Sequence, residues 1–266
     1  MKKIAKNILN ADISYLDTEK YIKIPFDKGV VWEVGAFHKA LRFVIYNSRV
    51  ILDVGSHIGS FVVACKFYQA GYGSRKPNDE CKIICFEPQK KMYDLLIENI
   101  TQNSFKNVIT HNKAVGDTNS KVCLSDTVDG EVYDYNDEKE YNYGGIQIGE
   151  GSNSVEMITI DSLGLDCCDL IKMDVESFEF FSLCGAEETI KKFRPLIFYE
   201  DIEGTKPTDY MLSIISEKTK QKYHEFDGDI IKLLESFGYN HFEKWGANYL
   251  AKFDVFKTKT EIVNCQ

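Results

Sequence analysis

From about residue 50 onward, short apolar runs alternate with stretches of helical spacing, and this alternation restricts the fold more than any other feature of the sequence. Continuous apolar runs are typical of strands that are buried on both faces of a parallel sheet. The runs cover residues 50–52, 82–86, 108–110, 170–173 and 196–199. Helices are expected at about residues 59–70, 88–100, 179–192 and 229–237, and a last strand at about 249–254. The pattern predicts an α/β fold with a mostly parallel sheet.

Two segments depart from this alternation. Residues 1–48 precede it and are interpreted as a small N-terminal α/β cap, with residues 49–266 as the main domain. Residues 119–155 form a polar, glycine-bearing insertion, which has seven acids and one lysine between Asp126 and Glu140. Long connections inside a compact domain are usually functional or disordered. We interpret the insertion as a flap on the substrate side, with a solvated loop or a disordered segment as the alternatives.

Charge and cysteine usage narrow the class of protein. The net charge of −9 disfavours nucleic acid as a partner, because phosphate binding needs clustered lysine and arginine. The eight cysteines are scattered and include no CxxC pair, so we interpret them as reduced residues of a cytoplasmic protein rather than zinc ligands. The sequence has no apolar run of membrane-spanning length and no secretory-signal stretch behind Met1, so no membrane partner is expected.

The turn after the first apolar strand has a spacing that suits ligand binding. Asp53 ends the strand, Gly55 and Gly59 follow, and a helix begins, which gives the pattern DxGxxxG. Glycine lets a backbone approach a ligand closely. A carboxylate here would repel a pyrophosphate and attract an ammonium group, which favours a ligand with an amino-acid moiety such as S-adenosylmethionine. The alternative is a tight strand-to-helix turn that binds nothing.

A second acid, Glu87, ends the next strand and precedes Pro88. A carboxylate at the tip of this strand can accept hydrogen bonds from both hydroxyls of a ribose. The distance from the glycine turn exceeds the usual spacing of about 20 residues, and a polar surface loop at residues 71–80 accounts for the excess. The alternative is an acid that stabilises the N-terminus of the following helix.

Acids also follow the strand at residues 170–173. This strand carries Lys172, and Asp174, Glu176 and Glu179 come directly after it, while the next strand ends in Glu200. Parallel strands present their carboxyl ends at one edge, where open α/β sheets bind ligands, so these side chains should converge. Hard divalent cations prefer clustered carboxylates, which makes Asp174, Glu176 and Glu179 a possible metal site, although no metal is expected.

Taken together and in this order, these motifs resemble the FkbM-type methyltransferases, a branch of the class I S-adenosylmethionine-dependent enzymes. The match runs from about residue 31 to residue 200, with a final helix and strand beyond it. The matching motifs are Trp32-Glu33, DVGSHIG at 53–59, FEP at 86–88, AVGD at 114–117, TIDSL at 159–163, IKMDVESFE at 171–179, LCGA at 183–186 and Arg194-Pro195. Two positions depart from the family pattern, with Ser177 in place of a glycine and His57 in place of a frequent asparagine.

The resemblance implies a Rossmann-like class I methyltransferase sheet, mostly parallel with an antiparallel last strand. It also implies S-adenosylmethionine as the cofactor and methyl transfer to a hydroxyl of a sugar, a glycan or another small molecule. The methionine half would lie at the glycine turn, the ribose at Glu87 and the adenine near residues 112–117. The residues expected at the cofactor are Glu33, Asp53, Gly55, Ser56, His57, Gly59, Glu87, Asn112 and Asp174.

An alcohol is a weak nucleophile, so the reaction needs a group that takes its proton. Asp174 is the first candidate because it ends the central strand opposite the cofactor turn. His57 is the second, since the ordinary pKa of histidine suits a base at neutral pH. Glu200 also qualifies by its position, and Lys172 either takes part in the chemistry or pairs with an acid.

Two other functions stay open at this point. An RNA ribose 2′-O-methyltransferase would use a lysine and acids in a similar sheet, but the acidic net charge opposes it. A cofactor-binding module without catalysis would be expected to lack Asp53 or Glu87, and both are present.

Overall fold

A computed structural model describes residues 2–6, 11–30, 41–70 and 78–253. The strands are β1 (Lys2–Lys6), β2 (Asp12–Leu16), β3 (Val50–Val54), β4 (Lys82–Phe86), β5 (Val108–His111), β6 (Ala114–Val115), β7 (Ser120–Leu124), β8 (Thr127–Val128), β9 (Glu131–Val132), β10 (Asn153–Ile158), β11 (Leu170–Met173), β12 (Leu196–Glu200), β13 (His241–Trp245) and β14 (Asn248–Lys252). The α-helices are α1 (Lys23–Asp27), α2 (Arg42–Asn47), α3 (Ser60–Gln69), α4 (Lys90–Gln102), α5 (Glu179–Cys184), α6 (Glu187–Phe193), α7 (Asp209–Ile214), α8 (Glu217–Glu225) and α9 (Ile230–Ser236).

The central sheet has seven strands in the order β13-β14-β12-β11-β3-β4-β5. Strands β12, β11, β3, β4 and β5 are parallel, and β14 pairs antiparallel with β12. This arrangement confirms the predicted fold class and the antiparallel last strand. Strand β13 was not predicted. It lies at the edge of the sheet and is only partly buried, so it has no continuous apolar run that would identify it.

The predicted helix over residues 179–192 is wrong, because the structure has two helices, α5 and α6, with Gly185 and Ala186 between them. A Cβ atom on Gly185 would lie 1.9 Å from the carbonyl oxygen of Gly116. The backbone of the 114–117 turn therefore packs directly against the break, and glycine is required there. Helices α7 and α8 were also not predicted.

The inner strands β3, β4, β11 and β12 are buried on both faces, as their apolar runs indicate, whereas the edge strands β5 and β13 are partly exposed. In β3, Leu52 and Val54 belong to one core cluster and Ile51 belongs to the cluster on the opposite face. The second cluster also contains Cys65, Cys81 and Cys85, which are free thiols. All seven cysteines in the described ranges are free, and Cys265 lies outside those ranges. None of the described helices has the length and apolar character needed to cross a bilayer.

The N-terminal segment packs against the main sheet through α4. Strands β1 and β2 form an antiparallel pair, and the buried side chain of Asn99 in α4 binds β2. Its amide oxygen accepts from Ser14 N–H (2.6 Å), and its amide nitrogen donates to Ser14 O (3.0 Å) and Ile58 O (2.8 Å). Asn99 thus connects the N-terminal strand pair to the turn that follows β3.

The segment at residues 119–155 has its own secondary structure. Strands β7 and β10 pair antiparallel, β6 joins β10, and β8 and β9 form a hairpin. Four tyrosines pack together in this segment, and the rings of Tyr135 and Tyr143 stack with centroids 4.7 Å apart. The insertion is therefore an ordered β-structure with its own packed aromatic cluster, rather than a disordered segment.

Candidate active site

A cavity of about 310 Å³ lies at the carboxyl ends of β3, β4, β11 and β12. Its lining comes from the turns after β3 and β4, residues 113–115, the 119–155 insertion, the ends of β11 and β12, and the N-terminal residues Glu19, Tyr21 and Ile22. Open α/β sheets bind ligands at this edge, and a cavity of this size falls within the range of ligand pockets.

The turn after β3 is held close to the end of β11. Gly55 has a φ of +77°, and a Cβ atom built on it would lie 1.7 Å from the carbonyl oxygen of Asp174. Ser56 Oγ donates to Asp53 O at 2.8 Å, and Gly59, with a φ of +92°, leads into α3. His57 has a φ of +48°, in a region that asparagine and histidine enter more readily than most residues. This explains why histidine can replace the asparagine that the family often has here.

Lys172 lies between two carboxylates behind this turn. Its Nζ is 3.7 Å from Asp53 Oδ1 and 3.6 Å from Asp174 Oδ2, and it donates to Gly55 O at 2.7 Å. Asp53 is fully buried and does not line the cavity, whereas Lys172 and Asp174 do. Burial raises the pKa of Asp53 to about 6, while the charge of Lys172 opposes the shift. The structure thus places Asp53 beneath the turn, where it contacts Lys172 rather than the cavity.

Glu87 is buried at the end of β4 and is held by two backbone donors. Its Oε2 accepts from His57 N–H (2.7 Å) and its Oε1 accepts from Gln89 N–H (2.8 Å). Burial raises the pKa of Glu87 to about 7, and these two hydrogen bonds oppose the shift. Asn112 lies behind the same turn, where its amide nitrogen donates to Glu87 O (2.9 Å) and Pro88 O (3.0 Å). Asn112 therefore supports the turn, and its neighbours Lys113, Ala114 and Val115 line the cavity.

Three carboxylates meet at the other end of the cavity. One oxygen from each of Asp174, Glu176 and Glu200 lies within 4.8 Å of the others. Glu179 does not join them, because its Oε1 turns back to accept from Val175 N–H at 2.7 Å. The possible metal-binding triplet of Asp174, Glu176 and Glu179 is therefore corrected to Asp174, Glu176 and Glu200.

The backbone conformation after Asp174 explains why Glu200, rather than Glu179, lies beside Asp174 and Glu176. Glu176 has a φ of +56° and Ser177 a φ of +73°, so the chain reverses after Asp174. Position 177 is where the family mostly has glycine, which adopts this conformation without steric cost. Burial and the neighbouring carboxylates of Asp174 and Glu200 raise the pKa of Glu176 to about 9, so its side chain is protonated at neutral pH.

Glu19 is a cavity residue that the sequence analysis missed. It is 2% exposed, and its Oε2 accepts from Tyr143 N–H at 3.2 Å and lies 4.0 Å from His57 Nε2. Burial raises the pKa of Glu19 to about 8, and burial together with the charge of Lys172 lowers the pKa of His57 to about 4. His57 is therefore neutral at neutral pH and a weaker base than histidine usually is. Glu33, the acid expected from the N-terminal cap, lies outside the described residues.

Gln89 connects the turn after β4 to the insertion and was also missed. Its amide nitrogen donates to Tyr143 O (2.8 Å), and its amide oxygen accepts from the hydroxyl of Tyr135 (2.9 Å). The insertion lines the cavity with Leu124, Asn142, Gly144, Ile146 and Ile148. No local sequence pattern marks Gln89 or Glu19, because their partners lie far along the chain.

Solved methyltransferase structures match the chain at low identity and with TM-scores below 0.5. A methyltransferase FkbM from Methylobacillus flagellatus KT is 14% identical with a TM-score of 0.44, over 82% of this chain and 50% of that chain. A candidate rRNA methylase from Clostridium thermocellum is 11% identical with a TM-score of 0.45, over 83% and 96% of the two chains. An S-adenosylmethionine-dependent methyltransferase from Aquifex aeolicus is 14% identical with a TM-score of 0.38, over 84% and 91%. The chain thus spans about half the length of the FkbM structure.

No curated protein matches the chain in sequence. The family model described as the methyltransferase FkbM domain matches residues 53–240, which is more than half of the 266 residues. The matched range begins at Asp53 and contains Glu87, Lys172, Asp174 and Glu200. We therefore conclude that this chain belongs to the FkbM methyltransferase family.

Proposed function

We propose that the protein is an S-adenosylmethionine-dependent O-methyltransferase that acts on a hydroxyl group of a sugar, a glycan or another small polar molecule. The observation that carries this proposal is Glu87, a buried carboxylate that two backbone N–H groups hold at the wall of a cavity beside a glycine turn.

The residues of the cavity fit this cofactor. A carboxylate has about four acceptor positions, and Glu87 uses two of them, which leaves two for the hydroxyls of a ribose. Ala114, Val115, Leu124, Ile146 and Ile148 supply an apolar part of the wall that suits the flat faces of an adenine ring. The glycine turn lies beside Lys172 and Asp174, where charged groups suit the amino-acid end of the cofactor.

The bound cofactor would supply a sulfonium methyl group for in-line displacement by the acceptor oxygen. Asp174 is the residue that takes the acceptor proton, because its carboxylate lines the cavity and is 29% exposed. Glu176 is protonated at neutral pH and can donate a hydrogen bond to an acceptor oxygen while Asp174 accepts one. Two neighbouring carboxyl groups in different environments can thus divide these roles.

The charge of this end of the cavity supports a hydroxylated acceptor of low negative charge. Carboxyl groups accept hydrogen bonds from hydroxyls, and Asp174, Glu176 and Glu200 stand together here. The carboxylates of Asp174 and Glu200 repel phosphodiesters, so they oppose the RNA ribose 2′-hydroxyl as the acceptor. A methyl-labelled cofactor offered with sugar, lipid and RNA acceptors tests this proposal. Label transfer to RNA alone would contradict it, and binding without transfer to any acceptor would favour a non-catalytic module.

Cofactor binding is expected to stabilise the fold. We expect S-adenosylmethionine and S-adenosylhomocysteine to bind with dissociation constants in the micromolar range. At a concentration 100 times the dissociation constant, either should raise the free energy of unfolding by roughly 2.7 kcal/mol. Calorimetry gives the affinity, and denaturant titration with and without ligand gives the stabilisation. No binding of either compound at millimolar concentration would contradict the proposal.

Replacing Glu87 with alanine is expected to weaken cofactor binding by about 1–3 kcal/mol, the cost of losing hydrogen bonds to a charged group. The matched control is a 2′-deoxyribose form of S-adenosylhomocysteine, which lacks one of the proposed donors. The wild type should prefer the intact ribose, and Glu87→Ala should bind both compounds with similar affinity. If the variant keeps the full preference for the intact ribose, Glu87 does not bind the diol.

A further inference from the structure

We propose that Glu19 is a positioning residue, which orients Glu87 through a ring of contacts that joins the N-terminal segment, the glycine turn and the insertion. The inference rests on the proposed role of Glu87 at the cofactor ribose. Glu19 lies outside residues 53–240, the part of the chain that the family model matches.

Five residues form this ring. Glu87 accepts from His57 N–H (2.7 Å) and from Gln89 N–H (2.8 Å). The amide nitrogen of Gln89 donates to Tyr143 O (2.8 Å), and Tyr143 N–H donates to Glu19 Oε2 (3.2 Å). The last contact joins Glu19 Oε2 to His57 Nε2 at 4.0 Å. Every contact except this last one has the length of a hydrogen bond.

The 4.0 Å contact between Glu19 Oε2 and His57 Nε2 joins two buried polar groups that are too far apart for a hydrogen bond. Within the described residues, His57 Nε2 has no hydrogen-bond partner. A buried nitrogen without a partner is costly, so a movement of about 1 Å that brings Glu19 into hydrogen-bond range would be favourable. Because burial raises the pKa of Glu19 to about 8, its carboxyl group carries a proton at neutral pH that it can donate to the neutral ring of His57.

The backbone conformation of His57 explains why a contact with Glu19 would affect Glu87. Its backbone has a φ of +48°, a sparsely populated conformation that persists only where surrounding contacts hold it. The same residue supplies the N–H that fixes Glu87 Oε2. Loss of the Glu19 contacts would free the ring of His57 and the N–H of Tyr143, which would loosen the support behind both backbone donors to Glu87.

The test compares affinities for S-adenosylhomocysteine and its 2′-deoxyribose form, measured by calorimetry. Their ratio reports how well Glu87 is oriented toward the ribose, and general destabilisation of the fold lowers both affinities without changing it. The ratio is the affinity for S-adenosylhomocysteine divided by the affinity for its 2′-deoxyribose form. We expect Glu19→Leu to reduce this ratio about tenfold, or to about one if the wild-type ratio is below ten. Glu19→Gln keeps the length of the side chain, but at the position of Oε2 its amide can either donate to His57 or accept from Tyr143 N–H, so its ratio should lie between those of the wild type and Glu19→Leu.

Glu98→Gln is the matched control. Glu98 pairs with Lys2 Nζ (2.7 Å), so this variant weakens the attachment of the N-terminal strand pair to α4 without touching the ring, and its ratio should be unchanged. If Glu19→Leu does not fold, Glu19→Asp, which withdraws the carboxyl group by one methylene, should lower the ratio instead. A folded Glu19→Leu or Glu19→Asp variant with the wild-type ratio overturns the inference. A wild type that does not distinguish the two compounds overturns the proposed ribose contact of Glu87, and the inference with it.

Discussion

Replacing Asp174 with asparagine is expected to lower turnover by about 10²–10⁴-fold, the usual contribution of a general base, while the fold and the cofactor site persist. Asparagine has the shape of aspartate but cannot accept the acceptor's proton. Lys172 would keep its hydrogen bond to Gly55 O (2.7 Å) and its contact with Asp53 (3.7 Å), so the strand end should hold its position. Turnover is measured with a methyl-labelled cofactor, and affinity for S-adenosylhomocysteine is measured by calorimetry in the same variant.

His57→Ala is the comparison for the base assignment. The lowered pKa of His57, about 4, makes its imidazole a poor proton acceptor, so this variant should be milder than Asp174→Asn in turnover. Abolished turnover in His57→Ala, with most activity retained in Asp174→Asn, would reverse the assignment.

A chelator separates proton transfer to a side chain from a metal-dependent reaction. We expect full activity in the presence of a chelator, with Asp174, Glu176 and Glu200 acting directly on the acceptor. If a chelator stops the reaction and magnesium or manganese restores it, the three carboxylates hold a cation and the assignment of Asp174 as the base is wrong.

Gly55→Ala is expected to destabilise the protein by at least about 3 kcal/mol, because two costs combine at this position. The residue has a φ of +77°, which strains any side chain, and the added Cβ would lie 1.7 Å from the carbonyl oxygen of Asp174. Relief of that overlap requires the turn after β3 to move away from β11, which would also distort the cavity. Denaturant unfolding measures the loss, and calorimetry should find weakened cofactor binding in whatever fraction folds.

Gly130→Ala is the matched control for this prediction. Gly130 has nearly the same φ, +79°, but no atom lies within 4 Å of a Cβ built on it. Its variant should therefore show the backbone strain alone, about 1 kcal/mol. Equal losses in the two variants would mean that the close approach of Gly55 to β11 costs nothing.

The sequence alone predicted those features of the fold and the site that depend on local patterns of residues. Strands β3, β4, β11 and β12 are recognisable as apolar runs, because a strand buried on both faces has mostly apolar side chains. The run at β5 also predicted a strand, although β5 lies at the edge of the sheet and is partly exposed. Glu87 and Asp174 follow strands directly, so their place at one edge of the sheet follows from parallel topology. The order of the motifs was enough to predict the FkbM family, and the family match confirms it.

Other features depend on contacts between distant parts of the chain, and no local pattern reports them. The helix predicted over 179–192 breaks at Gly185 because the backbone of Gly116 packs against it. Glu200, rather than Glu179, joins Asp174 and Glu176 because positive φ angles reverse the backbone and Val175 N–H captures Glu179.

Contacts between distant parts of the chain also determine the surroundings of the glycine turn after β3. Asp53 was predicted from its spacing, but only the tertiary structure buries it beneath Lys172 and away from the cavity. Glu19 meets Tyr143 across 124 positions of sequence, so its role could not be inferred before the chain was folded. The sequence by itself determined the fold class, the family and the acids at the strand ends. Tertiary structure decided which of those acids face the cavity, because burial and backbone direction arise only from packing between distant segments.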